Sequence, residues 1–125
     1  MPAARSVAAL VVDDQQSMRA MARLVLKELG VIDVAVAASA EAALEQMMTR
    51  RFDVVISDYN MPGVSGVELA ERVKAHPDLK TIPVFLATSE AYRSQAGSAV
   101  DAFVVKPFAV PELRKALETH LGALT

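Results

Sequence analysis

The stretch Val7-Ala8-Ala9-Leu10-Val11-Val12-Asp13-Asp14, running on through Met18 to Leu29-Gly30, joins two periodicities. Val7–Val12 is an unbroken apolar run, the pattern of a strand buried on both faces. Met18, Met21, Ala22, Val25, Leu26 and Leu29 then recur at helical spacing, one face of an amphipathic helix that Gly30 stops. A buried strand feeding such a helix is the first half of a βα unit, and the rest of the chain repeats it. Ile32–Ala37, Phe52–Ser57, Pro83–Ala87 and Ala102–Val105 are further strand candidates. Ser39 can cap a second helix with a core stripe of Ala43, Leu44, Met47 and Met48. Ser65 with Glu68 forms a capping box for a third, reaching about Ala75 before Pro77. Ser89–Ala99 reads at best as a weak, shortened fourth helix, and Pro111 opens a last one with Leu113, Ala116, Leu117 and Leu121 inward and Gly122 past its end. Met18, Met21, Met47 and Met48 are read as core filling.

Five apolar strands joined by crossover helices imply an α/β fold: a doubly wound five-stranded parallel sheet with helices on both faces. At 125 residues, one domain spanning 1–125 is expected. Hydrophobic residues make up 53% and charged residues 22%, which places the chain with ordinary globular domains. The balance of 13 basic against 15 acidic residues provides no cationic surplus for nucleic acid. No apolar run approaches a membrane span, and no cysteine is present to form a disulfide, a thiolate zinc site or a nucleophile. The expectation is a cytoplasmic protein without membrane insertion.

In doubly wound sheets ligands sit beyond the carboxyl ends of the strands. The first strand ends in Asp13-Asp14, the third in Asp58, the fourth in Thr88 and the fifth in Lys106-Pro107. An isolated pair such as Asp13-Asp14 is more often a helix cap than a metal site, and Asp58 alone could be an ordinary turn residue. Three converging carboxylates repel one another, however, and call for a hard divalent cation, Mg²⁺, Mn²⁺ or Ca²⁺; Mg²⁺, with Mn²⁺ as a substitute, is the one that characteristically completes its shell with water and phosphate oxygens. Asp58 can then be a nucleophile toward phosphorus, with Thr88 and Lys106 sharing the charge of the transferred group. His76 and His120, each near a helix end, do not read as phosphoryl carriers.

The same residues carry a family resemblance. Val11-Val12-Asp13-Asp14, Ile56-Ser57-Asp58-Tyr59-Asn60-Met61-Pro62-Gly63, Ala87-Thr88-Ser89-Glu90 and Val104-Val105-Lys106-Pro107-Phe108 resemble, in order and over nearly the whole chain, the response-regulator receiver domain of the stand-alone chemotaxis kind. The resemblance implies the flavodoxin-like strand order 2-1-3-4-5 and Asp58 as phospho-acceptor. It further implies Mg²⁺ on Asp14, Asp58 and the Asn60 backbone carbonyl, with Asp13 acting mainly through water. Thr88 and Phe103 would be the switch pair, Lys106 the phosphate-binding amine in a cis peptide with Pro107, and Asn60 and Glu90 the residues that tune phosphoryl lifetime. From Thr88 to Phe103 is 15 residues, short for the family, and Ala99 stands where the family usually has Gly.

The implied function is a single-domain response regulator of a two-component phosphorelay. It would take its phosphoryl group from a histidine kinase or histidine phosphotransfer protein and switch binding to a downstream protein, as a monomer or weak dimer. A phosphate sink or relay intermediate would use the same site. The chain would be no enzyme beyond its own phosphorylation and dephosphorylation. An aspartate-nucleophile phosphohydrolase would need a second Asp where Asn60 stands and a cap insertion that the length leaves no room for. A flavodoxin-like nucleotide module would need an anion cradle where Asp13-Asp14 stands.

Overall fold

The computed structural model describes residues 3–88, 99–105 and 109–124. After a 3₁₀ turn at Ala4–Ser6 come β1 (Ala8–Val12), α1 (Gln16–Glu28), β2 (Asp33–Ala37), α2 (Ala40–Thr49), β3 (Val54–Asp58), α3 (Gly66–Ala75), β4 (Val84–Thr88), β5 (Ala102–Val105) and α4 (Val110–Leu121). The strands form one parallel sheet in the order β2-β1-β3-β4-β5. The segment expected to hold the shortened helix, 89–98, lies outside the described residues apart from its final Ala99.

Alternation along the strands builds two cores. Ala8, Leu10 and Val12 of β1, with Val55 and Val84, pack under Ala43 and Met47 of α2 and Leu69, Ala70 and Val73 of α3. Ala9, Val11, Val54, Ile56, Phe85, Ala87 and Val104 face the other way, onto Ala22 and Leu26 of α1 and Leu113 and Leu117 of α4. The four described α-helices thus lie two on each face, as right-handed crossovers about a central β1 and β3 require.

Two methionines depart from the expected stripes: Met21 is 38% exposed and Met48 60% exposed. At about 100° per residue, each lies more than a quarter turn from the centre of its helix's buried face, set by Ala22, Leu26 and Leu29 in one case and Ala40, Ala43 and Met47 in the other. Apolar character widened the expected stripe beyond the face that the sheet covers. The strand ends shift too: β3 and β4 extend one residue further than expected, so Asp58 and Thr88 are the last residues of their strands.

Capping follows the expected chemistry where a hydroxyl was expected to cap. Ser39 Oγ accepts from Ala42 N at 3.1 Å and Ser65 Oγ from Glu68 N at 3.2 Å. At the amino-terminal edge of the sheet, acids tie neighbouring strands together. Asp53 N donates to Ala8 O while its carboxylate accepts from Ala8 N, both within 2.8 Å. Asp101 N donates to Val84 O at 2.9 Å, and its carboxylate accepts from Val84 N at 2.7 Å and pairs with Lys74 Nζ at 2.7 Å. Lys74 Nζ also donates to Ile82 O at 3.0 Å, joining α3 to the entrance of β4 and β5.

Candidate phosphoryl and metal site

Strand register assembles the site. Val12 pairs with Ser57 in the β1–β3 ladder, so the next residues along, Asp13 and Asp58, come side by side. Asp13, Asp14 and Asp58 each place one carboxylate oxygen within 4.8 Å of the others. Two full charges at that separation repel by roughly 3–4 kcal/mol at an effective dielectric near 20, less where solvent reaches them. Burial is graded across the cluster: Asp13 is 4% exposed, Asp58 half-buried and Asp14 exposed. Oxygen-only donors so arranged suit a hard cation such as Mg²⁺, held by few protein ligands and water.

Hydrogen bonds fix the corner. Asp13 N donates to Ala37 O at 3.0 Å, and Asp13 Oδ1 accepts from Gln15 N at 2.9 Å. Arg19 Nη1, one helical turn on, donates to Asp13 O at 2.8 Å. On the other side Tyr59 N donates to Ala87 O at 2.9 Å, carrying the β3–β4 ladder one residue past Asp58. Ser57 Oγ donates to Asp58 O at 3.0 Å. The chain then turns through Met61-Pro62-Gly63, where Gly63 takes φ +79°, and re-enters as α3. Asp14, Gln15, Asp58, Asn60, Met61 and Pro62 line an open cleft of about 500 Å³ at this end of the sheet.

Gly66 sets how close α3 comes. A Cβ there would collide with the backbone carbonyl of Asp58 and lie 2.6 Å from Leu86 Cδ1, while Gly66 N donates to Tyr59 O at 3.1 Å. The first turn of α3 therefore sits against the peptide that carries Asp58. Sequence reasoning missed Gly66, although a glycine just inside a capping box is a sign of close backbone approach. It also missed Gln15, whose one cue was its place directly after the acidic pair.

Of the other expected site residues, Thr88 ends β4, 3% exposed, one residue beyond the Ala87 that pairs with Asp58. Phe103 is half-buried on β5 opposite Leu86, and alternation sends it to the face opposite Val104. Asn60 is exposed at the cleft. Lys106, its peptide bond to Pro107, Phe108 and Glu90 lie outside the described residues.

The family model for the response regulator receiver domain matches residues 9–118. The chain belongs to this family. Among similar receiver proteins, chemotaxis protein CheY of Pseudomonas aeruginosa is 37% identical over 113 residues, 87% of this chain and 91% of its own. CheY-3 of Vibrio cholerae is 35% identical, with 87% of each chain covered. Among solved receiver structures, V. cholerae CheY4 superposes with a TM-score of 0.82 at 35% identity, covering 92% of this chain and 98% of that one. The Thermotoga maritima response regulator TrrA, crystallised in complex with Mg²⁺ and BeF, gives 0.82 at 34% identity, covering 92% and 99%. The receiver fold expected from the sequence, strand order included, is the one observed. No described helix is long and apolar enough to cross a membrane.

Proposed function

We propose that this receiver domain is a phosphorylation switch in which Asp58 accepts a phosphoryl group from a histidine kinase or histidine phosphotransfer protein. The observation that carries the proposal is the meeting of three carboxylates at 4.8 Å or less beside an open cleft, with Asp58 the half-buried member at a strand end. Asp14 and Asp58, with the Asn60 carbonyl, would hold Mg²⁺ directly, and Asp13, already accepting from Gln15 N, would act through water. When bound, the cation supplies positive charge to the oxygens of the phosphoryl group. The T. maritima relative with Mg²⁺ and BeF supports that pairing of fold and cation.

In the forward step an Asp58 carboxylate oxygen attacks phosphorus, and the bond from phosphorus to the donor nitrogen or oxygen breaks with its electron pair leaving on the donor. Thr88 Oγ1 and Lys106 Nζ hold the transferred oxygens, and Phe103 follows Thr88, so that charge at one strand end changes a protein-binding surface. The domain turns over no external substrate; it catalyses only its own loading and release.

Incubation with acetyl phosphate, with and without Mg²⁺, followed by intact mass tests the proposal. The expected result is a Mg²⁺-dependent gain of one phosphoryl group that Asp58→Asn abolishes while leaving the circular dichroism spectrum unchanged. Equal incorporation in the variant defeats the assignment of Asp58.

A further inference from the structure

Among the described residues that line the cleft, only Asn60 and Gln15 carry a side-chain amide. Gln15 occupies the N-cap position of α1 with extended backbone (φ −97°, ψ 122°), where Ser, Thr, Asp or Asn would ordinarily turn the side chain back onto the helix. Its side chain makes no capping hydrogen bond. Its backbone is held on both sides, since N donates to Asp13 Oδ1 at 2.9 Å and O accepts from Arg19 N at 3.1 Å. Arg19 in turn anchors its guanidinium on Asp13 O. A fixed main chain therefore holds a residue with a long, neutral side chain, donor and acceptor at once, in the lining of the cleft that Asp58 also lines.

We infer that Gln15 is a water-positioning residue for release of the phosphoryl group from Asp58, a role that rests on the proposed phosphorylation of Asp58. The amide oxygen accepts a hydrogen bond from the attacking water while the amide nitrogen donates to a phosphoryl oxygen, which aligns the two without adding charge to an acidic corner. The water oxygen bonds to phosphorus, and the bond from phosphorus to the Asp58 oxygen breaks. The electron pair returns to the carboxylate, and the water's protons leave with the inorganic phosphate and to solvent. Asp14 is unsuited to this work, because its negative charge belongs to the cluster that the cation neutralises.

The test loads the full chain with acetyl phosphate and Mg²⁺, removes the donor, and follows inorganic phosphate release for wild type, Gln15→Leu and Gln15→Ala. Release is expected to slow by about two- to tenfold in both variants, the worth of one neutral hydrogen bond. The Mg²⁺ dependence of the melting temperature should stay at the wild-type value, which a merely structural effect on the corner would not allow. Release at or above the wild-type rate overturns the inference, as does loss in the variants of the Mg²⁺-dependent rise in melting temperature. A wild type that takes up no phosphoryl group overturns the parent reading and this one together; a wild type that loads, with variants that release normally, overturns this one alone.

Discussion

Asp13, Asp14 and Asp58 differ from Asp33, Asp53 and Asp101 in that they also bring carboxylate oxygens within 4.8 Å of one another. At the amino-terminal edge Asp33 pairs with Arg50 at 2.7 Å, Asp53 accepts from Ala8 N, and Asp101 accepts from Val84 N and Lys74. At the carboxyl edge three acids face one another. Mg²⁺ at ten times its dissociation constant should therefore raise the melting temperature by about 5 °C. Asp14→Asn should remove most of that gain, whereas Asp33→Asn should leave it intact. In chelator the sign reverses: Asp14→Asn should melt no lower than wild type, because one of three mutually repelling charges is gone. Calorimetry with and without Mg²⁺ checks both statements, and an Asp14→Asn protein that keeps the full gain argues against a cation at this cluster.

At the scale of elements, the ends of the strands and the first turn of α3 carry the argument. Gly66→Ala should cost about 2–4 kcal/mol, since its Cβ meets the immobile Asp58 carbonyl rather than a yielding side chain. Urea denaturation measures that cost, and a loss under about 1 kcal/mol would show that α3 can draw back from β3 freely. Asp101→Ala should cost about 1–3 kcal/mol by leaving the amide of Val84 without its partner, while Asp33→Ala, at an exposed ion pair, should cost under about 1 kcal/mol. These elements also show what was legible beforehand. Val7–Val12 and Phe52–Ser57 announced buried parallel strands because both faces demand apolar residues, and Ser39 and Ser65 announced caps because their chemistry is local. The tasks of Asp53, Asp101 and Gly66 depend on which backbone lies across from them. That is set by register between strands far apart in the chain, and no local pattern encodes it. Gln15 was hidden for a related reason: the helix that follows it was legible from Met18 onward, but the cleft exists only once β1 and β3 stand side by side.

For the whole molecule, one sheet separates two cores, and both must be complete for its carboxyl edge to hold its shape. Leu69→Ala on one side and Leu113→Ala on the other should each cost about 2–5 kcal/mol, and the costs should add, because the sheet stands between the two sites. Equilibrium denaturation of the single and double variants tests that, with strong non-additivity contradicting two independent faces. The division has a structural consequence: α1 and α3 approach the acidic corner from opposite faces, Arg19 through its bond to Asp13 O and Gly66 through its bond to Tyr59 O, so the site is braced from both cores at once. The central claim is that this braced corner accepts phosphorus on one particular carboxylate. Its most direct test is to load the wild-type chain with acetyl phosphate and Mg²⁺, trap any acyl phosphate by borohydride reduction to the corresponding alcohol, and map the altered residue by peptide mass spectrometry. The account predicts homoserine at position 58 and nowhere else; trapping at Asp13 or Asp14 instead, or a phosphoryl group that resists reduction because it sits on a hydroxyl, would contradict it.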